Sequence, residues 1–203
     1  MENKMEYSVT KNGKKLSTDL YSFDEETLTF YSNEDDLVLD FHTLSGVTFN
    51  TGPYCVFHTG PYCVFHTGPE CTFNTGYACV FTTGYACVFN TGPSCVLHTG
   101  YGCVFTTGYD CTFNTQDDCV FHTGYGCVFT TGSSCVFHTG SSCAIVRRDN
   151  SEVIIPKPYV AIKLNDYGEK GFKEVKTTKT IVIDGKSIEL SEESFDELKE
   201  QLI

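Results

Sequence analysis

Tryptophan is missing from all 203 residues, methionine occurs twice, and between Val47 and Val146 there is not one lysine or arginine. A hundred-residue stretch without a base is unsuited to phosphate backbones, whose binding depends on cationic side chains displacing counterions. No direct contact with nucleic acid is therefore expected. No apolar run approaches the roughly 20 residues that span a bilayer, so no membrane association is expected. The opening Met1-Glu-Asn-Lys-Met-Glu-Tyr7 lacks the apolar core of a secretory signal. A cytoplasmic setting follows, in which the twelve cysteines are read as free thiols. Gly-x-Ser-x-Gly, phosphate-loop and His-Glu-x-x-His motifs are all missing. The expectation is a protein that is not an enzyme and carries no cofactor.

What is present is one octapeptide, Cys-Val/Thr-Phe-His/Asn/Thr-Thr-Gly-x-x, repeated from Val47 to Val146. Cysteines recur once per octapeptide from Cys55 to Cys143. The six histidines, His42, His58, His66, His98, His122 and His138, all fall on that lattice. Strict alternation puts Cys, Phe and Thr on one face of a strand and Val/Thr with His/Asn/Thr on the other. The first set is nearly invariant, so it is read as core. The second varies among polar residues, so it is read as solvent face. The glycine after each Thr, replaced only by Gln116, is read as supplying backbone freedom for a corner. One such unit cannot bury its own Phe, so units must stack into a parallel β-solenoid.

The number of units per coil rests on the variable outward position. Identities there are most frequent at a lag of three octapeptides, and Gly-Tyr-Ala/Gly-Cys-Val-Phe-Thr-Thr-Gly recurs at that lag, at Gly76, Gly100 and Gly124. This favours a triangular solenoid with three octapeptides, about 24 residues, per coil. A flattened two-sided roll with two octapeptides, about 16 residues, per coil is the alternative, because duplication of three units would leave the same lag.

Three regions are expected: an acidic N-terminal cap over 1–46, the solenoid over 47–146, and a C-terminal module over 147–203. The cap carries ten acids and four lysines. It should contain a type I′ hairpin at Lys11-Asn12-Gly13-Lys14 and strands near 27–30 and 37–41. Leu39, Phe41 and Thr43 are assigned the Cys, Phe and Thr positions of the lattice. In the C-terminal module, strands are expected over 153–156 and 159–163, with a hairpin over 180–190 turning at Asp184-Gly185. A closing helix follows, capped by Ser191, with Phe195, Leu198 and Leu202 on one stripe. That helix packs on the hairpin or pairs with a second copy, which would make a homo-oligomer.

Metal chemistry is not expected. A Cys and the His three residues on point to opposite faces of a strand and cannot share an ion. In the triangular arrangement His42 would stack over His66 and His98 over His122, as solvated surface. Asp110, Asp117 and Asp118 sit at predicted corners near the one lacking glycine, where an altered turn is the plainer reading than an acidic site. The candidate interaction surface combines outward Val104 and the corner tyrosines Tyr77, Tyr85, Tyr101, Tyr109 and Tyr125. The N-terminal acids Glu34, Asp35, Asp36 and Asp40 form a second candidate.

The run of Thr-Gly-x-x-Cys-Val/Thr-Phe units leading into Ala144-Ile-Val-Arg-Arg-Asp149, then Ile162-Lys-Leu-Asn-Asp-Tyr-Gly168, resembles uncharacterised bacteriophage repeat proteins. The ending Ile183-Asp-Gly-Lys-Ser-Ile-Glu-Leu-Ser-Glu-Glu-Ser-Phe195 is similar to tails of other small phage proteins. More broadly the chain looks like pentapeptide-repeat β-helices, some of which are acidic DNA mimics that inhibit gyrase. Here the period is eight, and the faces carry almost no carboxylates. The resemblance implies an infected bacterial cell or a virion as the setting. The function expected is a rigid structural or protein-binding body, with a protein or a second copy as partner. The alternative is an acidic inhibitor of a host DNA-acting or defence enzyme.

Overall fold

The computed structural model describes residues 5–175 and the two hairpin strands Thr178–Ile183 and Lys186–Ser191. Two facing sheets make a parallel β-solenoid of about seven coils, with a 16-residue repeat. In the 11-stranded first sheet, Lys14–Lys15 and Ser8–Lys11 lead to Leu37–Phe41 and Val56–Thr59. Strands then recur at every second octapeptide to Val136–Thr139, before Ile162–Leu164 and Phe172–Glu174. The 10-stranded second sheet begins with Ser22–Asp24, Thr29–Tyr31 and Thr48–Thr51. It continues at the same interval to Ala144–Arg147 and ends with Val153–Ile154. Identical units fix the register: Phe89 pairs with Phe73 on one side and Phe105 on the other. A one-residue slip would turn every Phe outward.

The triangular expectation is therefore corrected in favour of the two-sided roll. The reason lies in the core. Phenylalanines two octapeptides apart stack within one sheet, as Phe73 and Phe89 do at 4.8 Å and 9°. Those one octapeptide apart meet edge to face across the gap, as Phe81 and Phe89 do at 5.3 Å and 84°. Rings from opposite walls thus touch directly, and the interior is filled with two Phe per coil. A third wall would push the rings apart and leave the axis empty, at the cost that cavities carry. Every repeat Cys and Phe is at most 2% exposed.

The glycine after Thr also has a role different from the expected one. Its φ is not positive; the residue just before each Cys takes the left-handed conformation instead, as at Tyr54, Glu70, Ala86, Ser94 and Asp110. What the glycine provides is room. A Cβ on Gly76 would lie 2.7 Å from the backbone nitrogen of Pro61, and one on Gly84 2.6 Å from that of Pro69. Each corner is sewn to its neighbours by backbone bonds along the axis, such as Tyr62 N–H to the Tyr77 carbonyl at 3.0 Å and Gly92 N–H to the Gly76 carbonyl at 3.1 Å. Such bonds leave little backbone polarity unpaired at the bends.

Antiparallel strands close both ends. Ser8–Lys11 lies against Leu37–Phe41, and Ser22–Asp24 against Thr29–Tyr31. Asn12 and Gly13 both have positive φ, as the type I′ turn demands. The lattice starts earlier than assigned: Phe30 pairs with Phe49, Leu39 with Phe57 and Phe41 with Thr59, so Leu39 holds a Phe position and Phe41 a Thr position. These partners lie further apart in the chain than those within the repeat, because the corner at Leu44-Ser45-Gly46 is longer than an octapeptide allows. At the far end Val153–Ile154 and Ile162–Leu164 run antiparallel to the last coil. The C-terminal hairpin pairs from Thr178 with Ser191 to Ile183 with Lys186. The turn at Asp184-Gly185 and the predicted closing helix lie outside the described residues.

Candidate interaction surface

The corners place aromatic rings on the two long edges. Tyr77, Tyr109 and Tyr125 follow strands of the first sheet and lie on one edge; Tyr85 and Tyr101 follow strands of the second and lie on the other. Stacking at the rung spacing locks them in pairs. Tyr109 and Tyr125 are 4.8 Å apart and 1° from parallel, and Tyr85 and Tyr101 are 5.0 Å and 5°. Tyr77 is instead met edge-on by Tyr62 at 5.0 Å. About half of each ring remains open, with Tyr101 50% and Tyr125 51% exposed. Rings already held by a neighbour lose little freedom when a partner covers them, which favours binding.

Val104 points outward from the middle of the first sheet, between Val88 and Val120, and is 38% exposed. The polar row beside it runs through His58, Asn74, Asn90 and Thr106 to His122 and His138. The histidine pairings expected of a triangle do not occur. His122 stacks on His138 at 4.6 Å, and Thr82 separates His66 from His98 on the second sheet. His42 lies just beyond its strand, its ring nitrogen 2.5 Å from Asp40. That hydrogen bond lowers the Asp40 pKa.

Among the N-terminal acids, Glu34 and Asp35 share one ammonium: Lys11 Nζ is 3.0 Å from Glu34 and 2.7 Å from Asp35. These bonds, to Asp35 first, raise the lysine pKa and lower that of Asp35. Asp36 takes the left-handed corner position and donates its N–H to the Pro53 carbonyl. The four acids are therefore split between a pair sharing one ammonium, a corner and the Asp40–His42 contact. Asp110, Asp117 and Asp118 do not converge, since Asp110 is on one edge and the other two are on the opposite one. Asp117 repairs the corner without glycine by accepting hydrogen bonds from the Ser133 N–H at 2.7 Å and its hydroxyl at 3.2 Å.

The thiols form two buried columns of six, free of disulfides. Each caps the corner carbonyls, as Cys95 Sγ does at 3.4 Å from the Gly92 oxygen. Hydrogen bonds between successive thiols raise Cys71, Cys79 and Cys103, with burial adding to the shift, and lower their partners Cys63 and Cys87. With no base in the repeat to offset a thiolate, the columns behave as apolar filler. Among the described residues no three His, Cys, Asp or Glu side chains are placed to hold a metal ion.

No protein-family model matches the chain, nor does any curated protein or solved structure. The surface is accordingly read from its own geometry. Three features escape the sequence pattern. Tyr54 and Tyr62 are exposed corner rings, hidden because they occupy the second corner position rather than the first. Tyr159, 86% exposed, lies across a cavity of about 280 Å³ from Tyr125. A cleft at the N-terminal end brings together Asp19, Tyr21, Tyr31 and Glu34; its residues are too far apart in the sequence to read as a motif.

Proposed function

We propose that the protein is a non-enzymatic rigid body that binds a protein partner through its tyrosine-bearing edges and the adjoining valine face. The observation that carries this reading is the pre-stacked Tyr109–Tyr125 pair, half exposed and fixed on a corner whose backbone is bonded to both neighbours. Aromatic rings are the side chains on which interface energy concentrates. The phage resemblance adds an infected bacterial cell or a virion as the setting of that partner.

The test is affinity capture under reducing conditions from bacterial lysate, with and without infection, using the wild type and three variants. Tyr101→Ala, Tyr125→Ala and Val104→Asp should leave the unfolding midpoint nearly unchanged. At least one should weaken capture by tenfold or more, the effect of losing an interface anchor worth about 2 kcal/mol. Undiminished capture by all three would reject the edges as the binding surface. The acidic-inhibitor reading receives less support, because the acids are dispersed and Lys11 offsets one of the two charges on Glu34 and Asp35. It predicts a DNA-acting enzyme that is released at moderate salt, whereas the edge reading predicts retention that is insensitive to salt.

A further inference from the structure

The first coil carries a second feature, separate from the edges. Residues 19–22 lead into the strand Ser22–Asp24, which lies beside Thr29–Tyr31, and with Tyr31, Asn33 and Glu34 they line a cleft of about 380 Å³. Its two phenols are held from behind. Tyr21 stacks on the buried Phe30 at 5.4 Å, and the Tyr31 hydroxyl donates to Asn33 Oδ1 at 2.5 Å. The Leu20 backbone is fixed as well, since Ser32 Oγ donates to its carbonyl at 2.9 Å. The lining has two carboxylates, of which, among the described residues, Glu34 is already bonded to the Lys11 ammonium and Asp19 to no cation. The Ser17 hydroxyl donates to Asp19 and lowers its pKa.

Two aromatic rings beside the Asp19 carboxylate, which has no cation bonded to it among the described residues while Glu34 is held by Lys11, form the environment that holds an organic ammonium. The ring faces attract the cation and the carboxylate accepts its hydrogens. The protein contains its own example nearby, where the Lys11 ammonium sits between Glu34 and Asp35. We propose that this cleft receives a lysine side chain of a basic protein partner, its stem along Leu20 and the rings and its ammonium at Asp19. The length of a lysine suits the site, because its methylenes cover apolar surface while its head reaches a carboxylate. This contact is independent of the edge reading: it can fail while Tyr101 and Tyr125 prove to be anchors, and the reverse.

The test is a titration of the full chain, followed through its backbone amide signals, with the peptide acetyl-Gly-Lys-Gly-amide. The same peptide acetylated on Nε serves as the neutral control. The lysine peptide should shift the amides of Tyr21, Tyr31 and Asn33, and the acetylated peptide should bind at least about fivefold more weakly. Asp19→Asn and Tyr31→Ala should reduce the response by a similar factor, while Tyr31→Phe, which keeps the ring, retains it. An equal response to both peptides would overturn the proposal, and so would shifts centred on the edge tyrosines or full binding by Asp19→Asn.

Discussion

Arg147 carries the sharpest consequence for stability. It occupies the position of an inward threonine, paired with Thr131, yet its side chain is 0% exposed. Its guanidinium grips Asp149 through Nε at 3.1 Å and Nη2 at 2.6 Å, and donates to the carbonyls of Glu169, Asn165 and Asp166 at 2.5–3.2 Å. One side chain thus ties the last coil to the loop that follows Ile162–Leu164. Arg147→Met keeps a long apolar stem but leaves Asp149, itself 3% exposed, with backbone N–H donors such as that of Gly168 and no cation. Breaking a buried ion pair from one side costs about 3–5 kcal/mol, more than the surface pair of Lys11 can be worth. Because a solenoid can open from an end, the loss should appear first as cap opening. Hydrogen exchange at Leu164, whose N–H bonds the Cys135 carbonyl, should accelerate by roughly two to three orders of magnitude. Arg147→Met combined with Asp149→Leu should recover most of that protection, since no charge is then left unpaired. If the single variant stays within about 1 kcal/mol of wild type, the buried pair does not hold the cap and the reasoning fails.

The corner glycines and the Asp149 carboxylate give two more tests. Gly76→Ala drives a Cβ to 2.7 Å from the Pro61 backbone and should cost about 1–3 kcal/mol in urea unfolding. Gly102→Ala meets nothing within 4 Å and adopts a conformation that Ala78 and Ala86 already hold, so it should cost about 1 kcal/mol or less; the reverse order would refute the distinct roles of the two corner glycines. For Asp149, burial alone would raise the pKa, but the Gly168 N–H and then Arg147 together lower it. A lowered folded value means that the stabilisation is present above the unfolded carboxylate value of about 3.9 and is lost as pH falls through the folded value. Asp149→Asn should therefore flatten the acid limb of the stability profile relative to wild type, and an unchanged limb would count against the pair.

Much of the molecule is legible because the repeat obeys a period of two without exception. Alternation alone assigns Cys, Phe and Thr inward, and the Cys and Phe columns are buried throughout the repeat. The type I′ turn is equally readable, since Asn-Gly states its own dihedral angles. The corner glycine misleads for a physical reason. Positive φ and lack of room both select glycine, and only the coil beneath, with Pro61 under Gly76, distinguishes them. Arg147 reads in the sequence as no more than a change of composition. Its signal is that an arginine stands two octapeptides on from Thr131, but that interval has meaning only once the coil length is known.

Coil length itself is hard to read because sequence identity and spatial stacking answer different questions. The units beginning at Gly76, Gly100 and Gly124 are alike, yet they fall alternately on the two edges, a coil and a half apart. Such a duplication is harmless because both walls present the same octapeptide, and a unit fits either one. Identity therefore records how units were copied, while stacking is decided by the width of the core. The decisive quantity is the reach of one Phe from each wall: rings 5.0–5.5 Å apart across the gap close the interior with two sides and leave no place for a third. The same reasoning explains why Leu97 and Ile145 are tolerated among the phenylalanines. Each belongs to the same core cluster, and each is fully buried. A repeat with smaller inward residues could not span that gap, so side-chain reach across the core is a better guide to coil size than the lag at which outward residues recur.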